Sequence, residues 1–187
     1  MHENRILSFN YLFVKNILLI PLLMILLLCC SCQDVPTIES TDIAKIGTKA
    51  PDFNIQLEDG KTLKLSDLQG RIVLINFFAT WWGACVKELP YIQNQIWEKY
   101  KNNSDFSLLV IGREHSKEDL VEFKSKEKIR FPLYPDPDKS ISLLYAKGFI
   151  PRTYLINKQG IVVYSCVGFS IEEFSILTSK LTMLLNK

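Results

Sequence analysis

Cysteine is scarce outside one short stretch of this sequence. Five are present in 187 residues, and Cys29, Cys30 and Cys32 crowd together near the N-terminus. The rest of the chain holds only Cys85 and Cys166, too few for a disulfide-stapled scaffold. Histidine is scarcer still, with His2 and His115 the only two. No histidine–cysteine or histidine–carboxylate set has metal-ligand spacing, so no metal and no cofactor is expected. A Cys–His hydrolase is weakly supported, because nothing in the sequence places His115 beside Cys85. Net charge is also small, at +2. That leaves no basic footprint for nucleic acid, which is excluded as a partner. There is no internal repeat and no low-complexity tract.

What is present begins with a leader. Ile17 to Leu28 is a 12-residue apolar run interrupted only by Pro21, with Arg5 and Lys15 ahead of it. The run is short for a membrane span and suits a signal-peptide core, with a retained anchor helix as the alternative. Directly after it, Cys29-Cys30-Ser31-Cys32 resembles a bacterial lipoprotein cleavage site. Ser31 favours lipidation at Cys32, and Cys30 is the alternative because Leu27 lies three residues before it. A metal or disulfide cluster here lacks partners close by in sequence. Lipid on Cys32 would tie the protein to a membrane.

The expected division is therefore a signal peptide over 1–31, a tether over 32–46 and one folded domain over 47–187. Without residues 1–31 the chain keeps 156 residues, and losing Arg5, Lys15 and Glu3 leaves 20 basic against 19 acidic, a balance of +1. Gln33 to Lys49 is rich in Asp, Ser, Thr and Pro, which suits a tether. Export implies an oxidising compartment, the setting in which thiols pair.

Within the domain, Phe53, Ile55 and Leu57 alternate, Glu58-Asp59-Gly60 supplies a turn, and Leu63 and Leu65 alternate again, predicting a β-hairpin. Ser66 to Gly70 reads as one helical turn closed by glycine. The apolar runs Ile72–Ala79 and Phe106–Ile111 predict strands buried on both faces. A helix is expected from Ala84 to Tyr100, kinked at Pro90, which lacks a backbone donor. Ser116 caps a second helix, with acidic residues in its first turn. Phe131 to Asp138 is proline-rich and extended, and Lys139 to Ala146 reads as a short helix. Thr153–Ile156 and Ile161–Val167 form a hairpin through Asn157 to Gly160. Ser170 and Glu173 make a capping box at the start of the last helix. This order predicts an α/β fold, a mixed central sheet with helices on both faces and an N-terminal hairpin.

The chemistry concentrates at the junction Asn76 to Pro90, where a buried strand feeds a helix. Trp82 to Cys85 lie at the helix N-terminus, where free N–H groups and the macrodipole stabilise a thiolate.

Three separated features resemble one family. Phe78 to Pro90 is similar to the active-site segment of thioredoxin-like proteins, whose pattern is Trp-Cys-x-x-Cys with a proline five residues after the second cysteine. Pro90 stands in that relation to Cys85. Phe149 to Ile156 resembles the segment carrying the family's cis-proline, at Pro151. Ala50-Pro51-Asp52-Phe53, its hairpin and the leader resemble the membrane-anchored TlpA-like (redoxin) branch. The resemblance spans about residues 47–186 and implies a thioredoxin-like fold and thiol–disulfide exchange. In that exchange a first cysteine attacks a partner disulfide and a second resolves the mixed disulfide.

The resemblance places Cys85 at the resolving position and Trp81 at the family's tryptophan, with partners binding beside Pro151. The attacking position holds Trp82. An indole neither attacks sulfur nor holds a mixed disulfide, so the two-step exchange is expected to be weakened or lost. Cys85, three residues into the helix, is expected to be less accessible and less acidified than the missing thiol. Trp82 has two readings: partly exposed, forming with Trp81, Ile150 and Pro151 an apolar surface for an extended peptide, or tucked inward as a plug. Partial exposure is favoured, because an indole in a slot for a small polar residue would strain the core. Cys166 reads as a buried inert thiol or as a partner for Cys85. His115 reads as an exposed loop residue or a proton relay.

The expected function is that of a membrane-anchored thioredoxin-like lipoprotein of the bacterial cell envelope, facing the periplasm. Its partners would be exported proteins or peptides bound at the cis-proline face, with the membrane reached through the lipid. The alternatives are a one-cysteine enzyme at Cys85, acting on peroxide or mixed disulfides, and a non-catalytic peptide-binding module.

Overall fold

A computed structural model describes residues 41–186 of the chain. The leader, the lipidation candidates Cys30 and Cys32, and the tether up to Ser40 lie outside the described residues. Among the described residues no helix is long and apolar enough to cross a membrane.

The expected N-terminal hairpin is present: β1 (Asn54–Gln56) pairs antiparallel with β2 (Thr62–Lys64). Gly60 in its turn has φ +83, a conformation that suits a residue without Cβ. A 3-10 turn over Leu65–Leu68 follows. The central sheet has five strands in the order β5-β4-β3-β6-β7. These are β3 (Ile72–Phe78), β4 (Phe106–Arg113), β5 (Leu133–Asp136), β6 (Arg152–Ile156) and β7 (Val162–Val167). β3 pairs parallel with β4 and antiparallel with β6, so the sheet is mixed, as the element order requires.

Alternation along β3 divides the core in two. Ile72, Leu74 and Phe78 face one layer, which holds Leu89, Ile92 and Ile96 of the first helical stretch, Leu120 and Phe123 of α2 (Lys117–Lys126), and Leu177 and Leu181 of α4 (Ile171–Leu185). Val73, Ile75 and Phe77 face the other layer, packing with the hairpin, the 3-10 turn and Tyr145 of α3 (Ser142–Tyr145). Every β3 residue is buried, as expected of a strand covered on both faces.

Three local differences from the expected pattern have clear causes. The long helix starts as α1 (Gly83–Tyr91), continues over Ile92–Trp97 with wider π-type bonding and returns to α geometry at Glu98–Tyr100. Pro90 removes one donor from the ladder immediately before the widened turn. Residues 139–146 form only the four-residue α3, because the Asp136 carboxylate holds the Ile141 and Ser142 amides at 3.0 and 2.9 Å and starts the helix late. At α4 the Ser170 hydroxyl caps the Glu173 amide at 3.1 Å, but the Glu173 carboxylate accepts from the Tyr164 hydroxyl. The capping box is thereby reduced to its serine half.

Residues 41–46, read from the sequence as tether, are held to the folded part. Ala44 is buried, Asp42 bridges to Ala146, and the Asp42 carboxylate pairs with the Arg152 guanidinium at 2.8 Å. These contacts tie residues 41–46 to β6 and to the end of α3.

Candidate functional site

The register gathers the candidate residues at one edge of the sheet. Phe77 is paired with Arg152, Phe78 with Gly112, and Arg152 with Val167. The Thr80–Cys85 segment, the β4–α2 loop with His115, the Phe149–Pro151 segment and the end of β7 therefore emerge side by side. This is the edge where parallel strands end, a usual place for sites in α/β folds. The Ile150–Pro151 bond is cis, as the resemblance implied, and the Pro151 carbonyl accepts from Gly168 N–H at 2.8 Å.

At the helix N-terminus the two readings of Trp82 separate. Trp82 is the N-cap of α1 and is 48% exposed, and Trp81 is 62% exposed. Their rings meet edge-to-face with centroids 6.1 Å apart. Trp82 thus stands partly in solvent at the N-cap and does not plug the core. Phe149, just before the cis bond, is also exposed, and Ile150 packs partly against the core.

Cys85 lies one turn further in, inaccessible, among Phe78, Leu89 and Ile92. Burial, with a smaller contribution from the Glu88 carboxylate, pushes its thiol up to about 12. The thiolate stabilisation of a helix N-terminus is outweighed here by desolvation. Cys166 is partly buried and also free, and burial pushes it up to about 11. Neither of these two thiols has the exposure and low pKa of a nucleophile.

Behind them is a polar group that the sequence reading did not assign. The Asn76 amide donates to Glu88 Oε2 at 3.0 Å and to Thr153 Oγ1 at 2.9 Å, deep between α1 and the sheet. Thr153 pairs with Asn76 on one side and Cys166 on the other, so these residues form a row across three strands. Burial raises the Glu88 carboxyl to about 7, against the lowering pull of the Asn76 and Thr153 hydrogen bonds. Glu88 also acts electrostatically on both Cys85 and Cys166. The signals were available: Asn76 is the one polar residue in an apolar run, and Glu88 lies three residues after Cys85 on the same helix face.

His115 corrects another expectation. It is buried, not an exposed loop residue, and its Nε2 accepts from the Thr80 N–H at 3.0 Å. Among the described residues no group of three or more histidines, cysteines or carboxylates is arranged to hold a metal ion.

Comparison with known proteins identifies the lineage. The AhpC/TSA family profile matches residues 46–165. The chain belongs to the AhpC/TSA family. Within it, the chain is 32% identical over 129 residues to the thiol-disulfide oxidoreductase ResA of Bacillus anthracis, covering 69% of this chain and 73% of that one. Against ResA of Bacillus subtilis (strain 168) it is 33% identical over 127 residues, covering 68% and 70%. A solved structure from Bacteroides thetaiotaomicron, described as a candidate protein disulfide isomerase, superposes with a TM-score of 0.75 at 38% identity, covering 79% of this chain and 94% of that one. The fold is thioredoxin-like, and the relatives place the chain among thiol–disulfide oxidoreductases of the TlpA-like kind.

Proposed function

We propose that this protein is an envelope lipoprotein, anchored through Cys32 and facing the periplasm, that keeps the partner-binding face of a thiol–disulfide oxidoreductase without its two-cysteine cycle. The observation that carries the proposal is the pairing of an exposed Trp82 at the attacking position with a fully buried Cys85. Disulfide exchange needs an accessible thiolate to open the partner's bond and a second thiol to release it. Trp82 supplies neither, and Cys85, pushed up to about 12, is almost wholly protonated near neutral pH.

One-cysteine chemistry on peroxide or a small disulfide would need Cys85 itself to attack, and its burial weighs against that. What the exposed edge offers is apolar and aromatic: Trp81, Trp82 and Phe149 beside the backbone at Ile150 and Pro151. Such a surface suits an extended segment of an exported protein, gripped by side chains and by the strand-end backbone. The leader and Cys29 to Cys32 support the location. Binding of an extended peptide that survives Cys85→Ser and is lost on Trp82→Ala supports this reading, whereas loss with Cys85→Ser and retention with Trp82→Ala overturns it.

A further inference from the structure

The Thr80 amide is the last backbone donor before the two tryptophans, and its bond goes to His115 Nε2 rather than to another strand. β3 and β4 run parallel to Phe78 and Gly112, and beyond them the chains diverge. His115 reaches back across that gap. Its own amide is bonded to the Gly112 carbonyl at 3.3 Å, and Glu114 before it takes φ 65, turning the loop inward. At the end of β4, Gly112 lets Leu120 of α2 pack closely, since a Cβ there would lie 2.6 Å from Leu120 Cδ2. The ring also packs near Phe78, with centroids 6.4 Å apart.

Accepting from an amide requires an unprotonated ring nitrogen, so this bond exists only while His115 is neutral. We propose that His115 is a positioning residue for the tryptophan pair: its neutral imidazole fixes the turn carrying Trp81 and Trp82 through the Thr80 N–H, and protonation releases that turn. The inference rests on the reading of that pair as the gripping surface and deepens it, making grip sensitive to acid.

The groups acting on His115 are few. Burial lowers its pKa below the ordinary 6.5, and the carboxylates of Asp119 on α2 and Glu114 in its own loop pull the other way. Glu114 is itself occupied by Lys139 at 2.6 Å and also feels Arg113. Asp119 is bound to the Ser116 amide and hydroxyl. From β5, Asp136 is turned to the α3 amides. β3 and the Thr80–Trp82 turn bring no ionisable side chain. Protonation would therefore place a buried donor against a donor, and the tie would open.

The test is a pH titration of the 15N-labelled full-length chain from pH 8 to 5, following the Thr80 amide, the tryptophan indole resonances and the His115 ring protons together. The expected result is one shared transition with a midpoint below 6.5, in which Thr80 protection against hydrogen exchange falls about tenfold beyond the intrinsic pH effect. His115→Gln, which offers a non-titrating acceptor, should abolish the transition. Glu88→Gln should leave it in place, separating it from the carboxyl that titrates nearby. A Thr80 amide that ignores the protonation of His115, or a transition that persists in His115→Gln, overturns the proposal. If His115→Gln does not fold, the wild-type coincidence of Thr80 and His115 decides alone. None of these signals depends on disulfide turnover or peptide binding, so this inference and the proposed function fail separately.

Discussion

The Asn76 side-chain nitrogen donates to Glu88 at 3.0 Å inside a layer that is otherwise apolar. That bond and the one from Thr153 together do not offset the cost of burying a charge, so the Glu88 carboxyl stands at about 7, against 4.5 for an ordinary glutamate. The sign follows from proton binding. Between those two values the folded protein holds more protons than the unfolded chain, so stability is fully present below 4.5 and falls as pH rises to about 7. The loss is on the order of 3 kcal/mol. His115 acts in the opposite sense, since its lowered pKa means stability is lost on acidification. The measurement is therefore a difference: urea unfolding of wild type and Glu88→Gln at pH 5 and pH 8. The variant's stability relative to wild type should be greater at pH 8 than at pH 5. Equal differences at both pH values would place Glu88 in a more solvated site than the structure shows.

The two thiols should react slowly in the native state, for different reasons. Cys85 is inaccessible and pushed up to about 12, whereas Cys166 is partly buried and pushed up to about 11. Iodoacetamide labelling near neutral pH, mapped by peptide mass, should modify Cys166 first. Cys85 should react only through opening of the fold, at least ~10²-fold slower than in denaturant. Fast native labelling of Cys85 would revive one-cysteine chemistry there.

Arg152 is buried immediately after the cis bond. Its guanidinium binds Asp42 at 2.8 Å and Thr41 Oγ1 at 3.1 Å, and the Tyr154 hydroxyl donates to the same Asp42 oxygen at 2.7 Å. Asp42→Ala should cost about 3 kcal/mol, because it leaves a buried cation without its anion. The double variant Asp42→Ala/Arg152→Met should recover much of that loss, as measured by urea unfolding. No recovery would mean that the cost lies in docking residues 41–46 rather than in the stranded charge.

The sheet was legible in the sequence because its strands are continuous apolar runs closed by turn residues, as at Ile72–Ala79 and Asn157 to Gly160. Pro90, Pro151 and Cys85 were read as a set through the resemblance of their two segments to thioredoxin-like proteins. Glu88 and His115 were harder to read. Each is polar in sequence and buried in space, and their partners, Asn76 and Thr80, become visible only once α1 and the β4–α2 loop fold against the sheet. Arg152 was missed for the same reason, since its partner Asp42 lies 110 residues away. The partial exposure of Trp82 followed from volume: an indole does not fit a slot shaped for a thiol.

The central claim is that Trp82 ends the exchange cycle, and disulfide reduction measures it most directly. Insulin reduction driven by dithiothreitol should proceed no faster with the unmodified protein than with dithiothreitol alone. Trp82→Cys, which rebuilds Cys-Gly-Ala-Cys on the same exposed N-cap, should raise the rate by at least about tenfold. Robust turnover by the unmodified protein would contradict the account.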